Sequence, residues 1–187
     1  MNAVIPARKL FSVREYEELI ATGFFTGKKR VELIEGELIE KMTQGDFHIS
    51  CINRLNALFT PALIGKAIVS VQNAIVVNPY SAPEPDVAIL RFREDFYASG
   101  KAKPEDVLLV VEVSDSTVRF DRQTKMPLYA RAGIEEAWLV NLPRKALEVY
   151  RSPANGKYEV VQKLSKNESI APLNFPELQV SVSNIIG

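Results

Sequence analysis

The 187-residue sequence predicts an α/β protein with α+β character: a mixed central β-sheet flanked by helices, with an additional β-hairpin towards each terminus. Three observations carry this. The stretch "VLLVVEV", residues 107–113, is almost continuously apolar, the pattern of a strand covered on both faces. One helical segment, "FDRQTKMPLYARAG", separates it from the next strand, "EEAWLVNL", and such a crossover favours a parallel pair within a mixed sheet. Two pairs of short strands are joined by turn signals, Glu-Gly in "KRVELIEGELIEKMT" and Asn-Gly in "ALEVYRSPANGKYEVVQKL".

The remaining elements follow in order. "SVREYEELIATG" reads as a helix with Ser12 as N-cap, Glu15 completing a capping box, and Gly23 placed to end it. "DFHISCINRLNALFTPALIG" carries Phe47, Cys51, Leu55, Leu58 and Phe59 at helical spacing, with Asp46 as N-cap. "AIVSVQNAIVV" and "DVAILR" are β-rich and flank the loop "NPYSAPEP". In the crossover helix Pro127 must sit near the first turn or kink it, and Gly133 ends it. The final stretch reads as a short strand and a tail. The length suits a single domain, 1–187, with its core over about 10–180.

Composition narrows the chemistry. Lys plus Arg and Asp plus Glu are 23 each, so no strong net positive charge points to nucleic acid, although a local basic groove is not excluded. One cysteine, Cys51, rules out an internal disulfide and a multi-thiolate zinc site. With one histidine, His48, any metal site must be built mainly of oxygen ligands, which suits Mg²⁺ or Mn²⁺. No apolar run approaches the roughly 20 residues of a membrane-spanning helix, and the N-terminal stretch has no signal-type apolar core. A cytoplasmic protein is the expectation.

Glu112 sets the functional question, because a carboxylate in a buried strand is costly unless a counter-charge meets it. If "DVAIL" and "VLLVV" are antiparallel neighbours, Asp86 at the start of one and Glu112 at the end of the other share one end of the sheet. Two carboxylates there would repel unless a divalent ion lay between them. Lys125, early in the following helix, can reach back to the same end, because side chains lean towards a helix N-terminus. An ammonium there can position a water and offset phosphoryl charge.

The segments "PEPDVAIL", "VVEVSDST" and "DRQTKMPLYARAGIEEAWLVN", with "VELIEGELIEKM" and the helix holding His48, resemble the stand-alone restriction-endonuclease family labelled Uma-two, of the PD-(D/E)XK nuclease superfamily. The resemblance spans roughly residues 10–180 and implies a restriction-endonuclease-like core and Mg²⁺-dependent cleavage of DNA phosphodiesters. By position it makes Asp86 and Glu112 the metal-binding acids, with Val113 adding its backbone carbonyl. The superfamily's lysine position, two residues after the second acid, is Ser114 here, and a lysine in the next helix, matching Lys125, takes the role in this family. Glu32 and Glu37 both match family acids of the early motif, and Glu32 is preferred as the site residue.

Each residue also has a structural reading. Glu112 can instead bridge to Arg119 or Arg122, and Lys125 alone is an ordinary solvated helix residue. Glu32, Glu35, Glu37 and Glu40 read mostly as a solvated hairpin face. His48 reads as a surface or capping residue, with a phosphate contact or proton carriage as the sharper alternative. Trp138 and Tyr129 read as core packing, and Lys28, Lys29 and Arg30 as a solvated basic run. The leading expectation is a metal-dependent endonuclease acting on DNA, with a homodimer natural for duplex cleavage. The alternatives are a nucleic-acid-binding module of the same fold without catalysis, and an interaction protein using a sheet edge or the tail.

Overall fold

A computed structural model of the chain describes residues 8–27 and 30–187. Its centre is a six-stranded mixed sheet in the order β3-β4-β5-β6-β7-β8, formed by β3 (Ala67–Val71), β4 (Val87–Arg91), β5 (Val107–Ser114), β6 (Glu136–Asn141), β7 (Ala146–Ala154) and β8 (Lys157–Leu164). The β5–β6 pair is parallel and every other pair in this sheet is antiparallel. The crossover expectation therefore holds. All eight residues of β5 and all six of β6 are buried, as a strand between two helical layers requires.

Alternation along β5 sorts side chains between two cores. Leu109, Val111 and Val113 face one layer with Cys51, Leu55, Phe59 and Leu63 of α2 (Asp46–Leu63) and Val182 and Ile185 of α5 (Val182–Ile186). Val110 faces the other layer, with Met126, Leu128 and Tyr129 of α4 (Met126–Arg131). Glu112 has the parity of Val110, so it points into the α4 layer.

The crossover helix departs from its expected shape. It begins as α3 (Val118–Phe120), runs through a π-helical segment, Asp121–Lys125, and resumes as α4. The Met126 N–H bonds back five residues to the Asp121 carbonyl. Pro127 follows, deep within the helical run rather than near its start. Proline has no N–H to give, and the wider turn ahead of it absorbs the break in the ladder. The π segment leaves Asp121, Lys125 and Tyr129 all buried.

Other boundaries shift in explicable ways. The N-cap of α2 is Gly45, and Asp46 is the first helical residue, so Asp46 contributes charge to the first turn and no cap. Phe47 is 82% exposed rather than part of the apolar face. "AIVSVQNAIVV" is a strand only to Val71, since Gln72 takes a positive φ of 53° and the chain leaves the ladder. The tail forms two short paired strands, β9 (Ser169–Ile170) and β10 (Val180–Ser181), and then α5. The capping box of α1 (Val13–Ala21) is present as read.

The N-terminal hairpin, β1 (Val31–Ile34) and β2 (Glu37–Glu40), turns through Glu35 and Gly36, both at positive φ. It leans on the segment before β4: the Ala82 N–H donates to the Leu33 carbonyl at 2.8 Å. That contact carries Glu32 to the end of the sheet where β4 begins.

Candidate active site

Four sequence-predicted residues converge there. Val87 pairs with Val111, so the next step of the antiparallel register sets Asp86 opposite Glu112. Lys125 donates to Glu112 Oε1 at 3.2 Å and lies 3.0 Å from Glu32 Oε2. Asp86, Glu112, Lys125 and Glu32 are each 5% exposed or less, at the base of a cleft of about 250 Å³.

Asp86 is the best-held acid. It accepts from the Val113 N–H at 2.9 Å, from His48 Nε2 at 3.1 Å and from Gln72 Nε2 at 3.2 Å. Burial pushes its carboxyl up, but the hydrogen bond and charge of His48, the Val113 N–H and the Lys41 ammonium outweigh this and hold it below the usual value. Glu112 goes the other way. Burial raises it to about 8, against the pull of Lys125, with Asp121, Asp86 and Glu32 adding repulsion. Lys125 is raised too, because Glu112, Glu32 and Asp121 overcome its own desolvation. The ammonium is thus firmly charged while the acid beside it is short of positive charge.

Glu32 is buried, unlike the hairpin-face reading, and its Oε2 also accepts the Glu84 N–H at 3.0 Å. Glu37 lies outside the cleft, exposed and paired with Arg8. His48 is not a surface cap: it touches Asp86, and its Nδ1 is buried with no hydrogen-bond partner. Neither Arg119 nor Arg122 meets Glu112: Arg119 bonds Gln123 and Arg122 bonds Glu148. Arg30 forms an ion pair with Glu84, whereas Lys28 and Lys29 lie outside the described residues.

Sequence reasoning missed several members. Tyr129, read as packing, donates its hydroxyl to Glu112 Oε1 at 2.5 Å. Asp121 accepts from Ser114 Oγ at 2.6 Å and Thr117 Oγ1 at 2.7 Å. Lys41 donates to the Glu84 carbonyl at 2.9 Å, and its ammonium is pushed down by burial and by Lys125. The spacing Asp121–Lys125–Tyr129, every fourth residue, was the available signal for the first two.

Carboxylate oxygens gathered in this way are donors that could hold a hard divalent cation. Asp86 and Glu112 offer carboxylate oxygens, and the hydrogen bonds from Lys125 and Tyr129 to Glu112 both fall on Oε1. Val113 gives its N–H to Asp86, and in an extended strand its carbonyl faces the same edge. Among the described residues no group of three or more His, Cys, Asp or Glu forms a ready-made cage. Two acids and a carbonyl suit Mg²⁺, which keeps several waters.

Comparison with known proteins bears on the class. The fold matches a crystal structure from Anabaena variabilis ATCC 29413 described as a "putative nuclease belonging to DUF820", with a TM-score of 0.65 and 17% identity over 94% of this chain and 97% of that one. The fold is thus one found in a nuclease-type structure. Residues 13–183 match the model of the Uma2 family, described as "Putative restriction endonuclease", and the chain belongs to that family. No curated protein matches the chain. Among the described residues no helix is long and apolar enough to cross a membrane.

Proposed function

We propose that the protein is a Mg²⁺-dependent endonuclease that hydrolyses DNA phosphodiester bonds, with Mn²⁺ able to substitute. The observation that carries this is the register that sets Asp86 beside Glu112, with the Lys125 ammonium 3.2 Å from Glu112, in one recessed cleft. Asp86, Glu112 and the Val113 carbonyl would hold the cation. When bound, Mg²⁺ polarises a phosphate oxygen and lowers the pKa of a coordinated water.

The chain's own groups do the rest. Lys125 stays protonated throughout, so it acts as a donor and charge partner rather than a base. It orients the attacking water by hydrogen bonding and offsets the charge that grows on the phosphoryl oxygens. Glu32 and Glu112 fix the ammonium from two sides. Tyr129 keeps Glu112 in one rotamer, and His48 orients Asp86. The chain works as a homodimer where both strands of a duplex are cut, one site per strand.

The test is incubation of the pure chain with supercoiled and linear DNA, with Mg²⁺, Mn²⁺ or EDTA, beside identically purified Asp86→Asn and Glu112→Gln. Cleavage by wild type alone, abolished by EDTA, is the expected result. Equal cutting by all three proteins, or binding without any cleavage, overturns the enzymatic reading, and the second outcome leaves a nucleic-acid-binding module.

A further inference from the structure

Beside the cleft lies a second recess of about 520 Å³. The two share Met42, Ser116, Thr117 and Phe120 as a common wall, so they form one continuous groove. Their chemistry differs sharply. The cleft is lined by the acids Glu32, Glu40, Asp86, Glu112, Asp115 and Asp121 against Lys41 and Lys125. The recess has no acid and one cation, Arg119. Its walls are the Met42 side chain, 63% exposed, and Phe120, packed partly against the α4-side core. Arg119 Nε donates to Gln123 Oε1 at 3.1 Å, which leaves the Gln123 amide nitrogen free to donate outwards.

We infer that this recess seats an unpaired nucleobase next to the scissile phosphate. The inference rests on the nuclease reading above and names the form of its substrate. Phosphate and metal belong in the acidic cleft, where a cation can sit. A flat, uncharged ring with hydrogen-bonding edges belongs between a thioether and an aromatic wall, with an amide and a guanidinium at the rim. Bases in a duplex spend their faces on stacking, so only single-stranded or extruded nucleotides can offer one. The site accordingly favours single strands, or duplexes with unpaired positions, over intact duplex.

The experiment measures fluorescence anisotropy of a labelled single strand on the full chain with Ca²⁺ in place of Mg²⁺. Parallel arms use the same strand as RNA, the strand made abasic, and the blunt duplex. The intact strand binds about tenfold tighter than the duplex or the abasic strand. Met42→Ala and Gln123→Ala, both at exposed positions, each weaken it about five- to tenfold and leave abasic binding unchanged. Equal DNA and RNA affinity supports readout of the base alone, and a preference for one supports an added sugar contact. An abasic strand that binds as tightly as the intact one, or two variants that bind like wild type, overturns the base site. Base-dependent binding with no cleavage in Mg²⁺ keeps the base site and removes the nuclease reading. Equal cleavage of strand and duplex, untouched by both variants, does the reverse.

Discussion

Glu148 and Glu112 are both buried carboxylates of the same sheet, 2% and 3% exposed, yet the chain treats them in opposite ways. Glu148 on β7 accepts twice from Arg122, at 3.0 and 2.5 Å, and also from Tyr150 at 2.7 Å and Asn141 at 3.2 Å. Burial works against its charge, but these donors hold it down at about 2. Glu136 on β6 likewise accepts hydrogen bonds from Arg151, Trp138 and the Leu173 N–H. Glu112 has a lysine and a tyrosine on one oxygen, faces three other carboxylates and is driven up to about 8. Where a buried acid serves the fold, its lone pairs are satisfied. In the proposed reading, the deficit at Glu112 is what a bound cation would fill.

Breaking the comparison from the chemical side gives the largest effect. Asp86→Asn and Glu112→Gln each lower cleavage by at least about 10³-fold, several kcal/mol of lost transition-state stabilisation. Glu112→Gln also removes a carboxyl whose ionisation is opposed first by burial and then by its acidic neighbours, so its metal-free thermal midpoint near neutral pH rises by about 2–4 °C, on the order of 1 kcal/mol. Calorimetric melts read this. Breaking it from the structural side gives the inverse pattern. Glu136→Gln removes the charge that Arg151 faces, leaving its guanidinium the Ala171 carbonyl, and costs about 3 kcal/mol in urea unfolding, while cleavage per folded molecule stays within a few-fold of wild type.

The two acids also separate by pH. Glu148 is lowered on folding, so its contribution is complete above the unfolded value of 4.5 and is lost as pH falls towards 2. Glu112 is raised on folding, so its contribution is complete below 4.5 and is lost as pH rises through about 8. Metal-free wild type therefore loses stability as pH rises from 4.5 to about 8, and Glu112→Gln flattens that slope without altering the acid limb. Parallel slopes in the two proteins would remove the contrast. The smallest effect is Tyr129→Phe. It deletes one hydrogen bond to Glu112, costs about 1 kcal/mol, and slows cleavage several-fold with the fold intact.

Much of this site is legible in the sequence. The apolar run of β5 announced a buried strand, and Glu112 stood out within it. The crossover helix implied the parallel β5–β6 pair, and Glu-Gly and Asn-Gly turns marked both hairpins. What stayed hidden has physical causes. The π segment depends on a local register choice ahead of Pro127, which periodicity averages away. Glu32 is singled out by the family resemblance alone, since hairpin alternation reads it as solvent-facing and its burial comes from the bridge between Leu33 and Ala82, residues far apart in the chain. Tyr129 satisfied the apolar pattern of a core residue, and nothing in that pattern reveals where a hydroxyl ends. His48 and Gln72 reach Asp86 across long sequence gaps that carry no local signal.

The most direct measurement is an anomalous difference map from crystals of the chain soaked in Mn²⁺. The account predicts a peak within bonding reach of both Asp86 and Glu112, roughly 2.1–2.3 Å from their oxygens, with Lys125 still beside it. A map with no peak there, or with Mn²⁺ held elsewhere while the two acids keep only their protein partners, would contradict it.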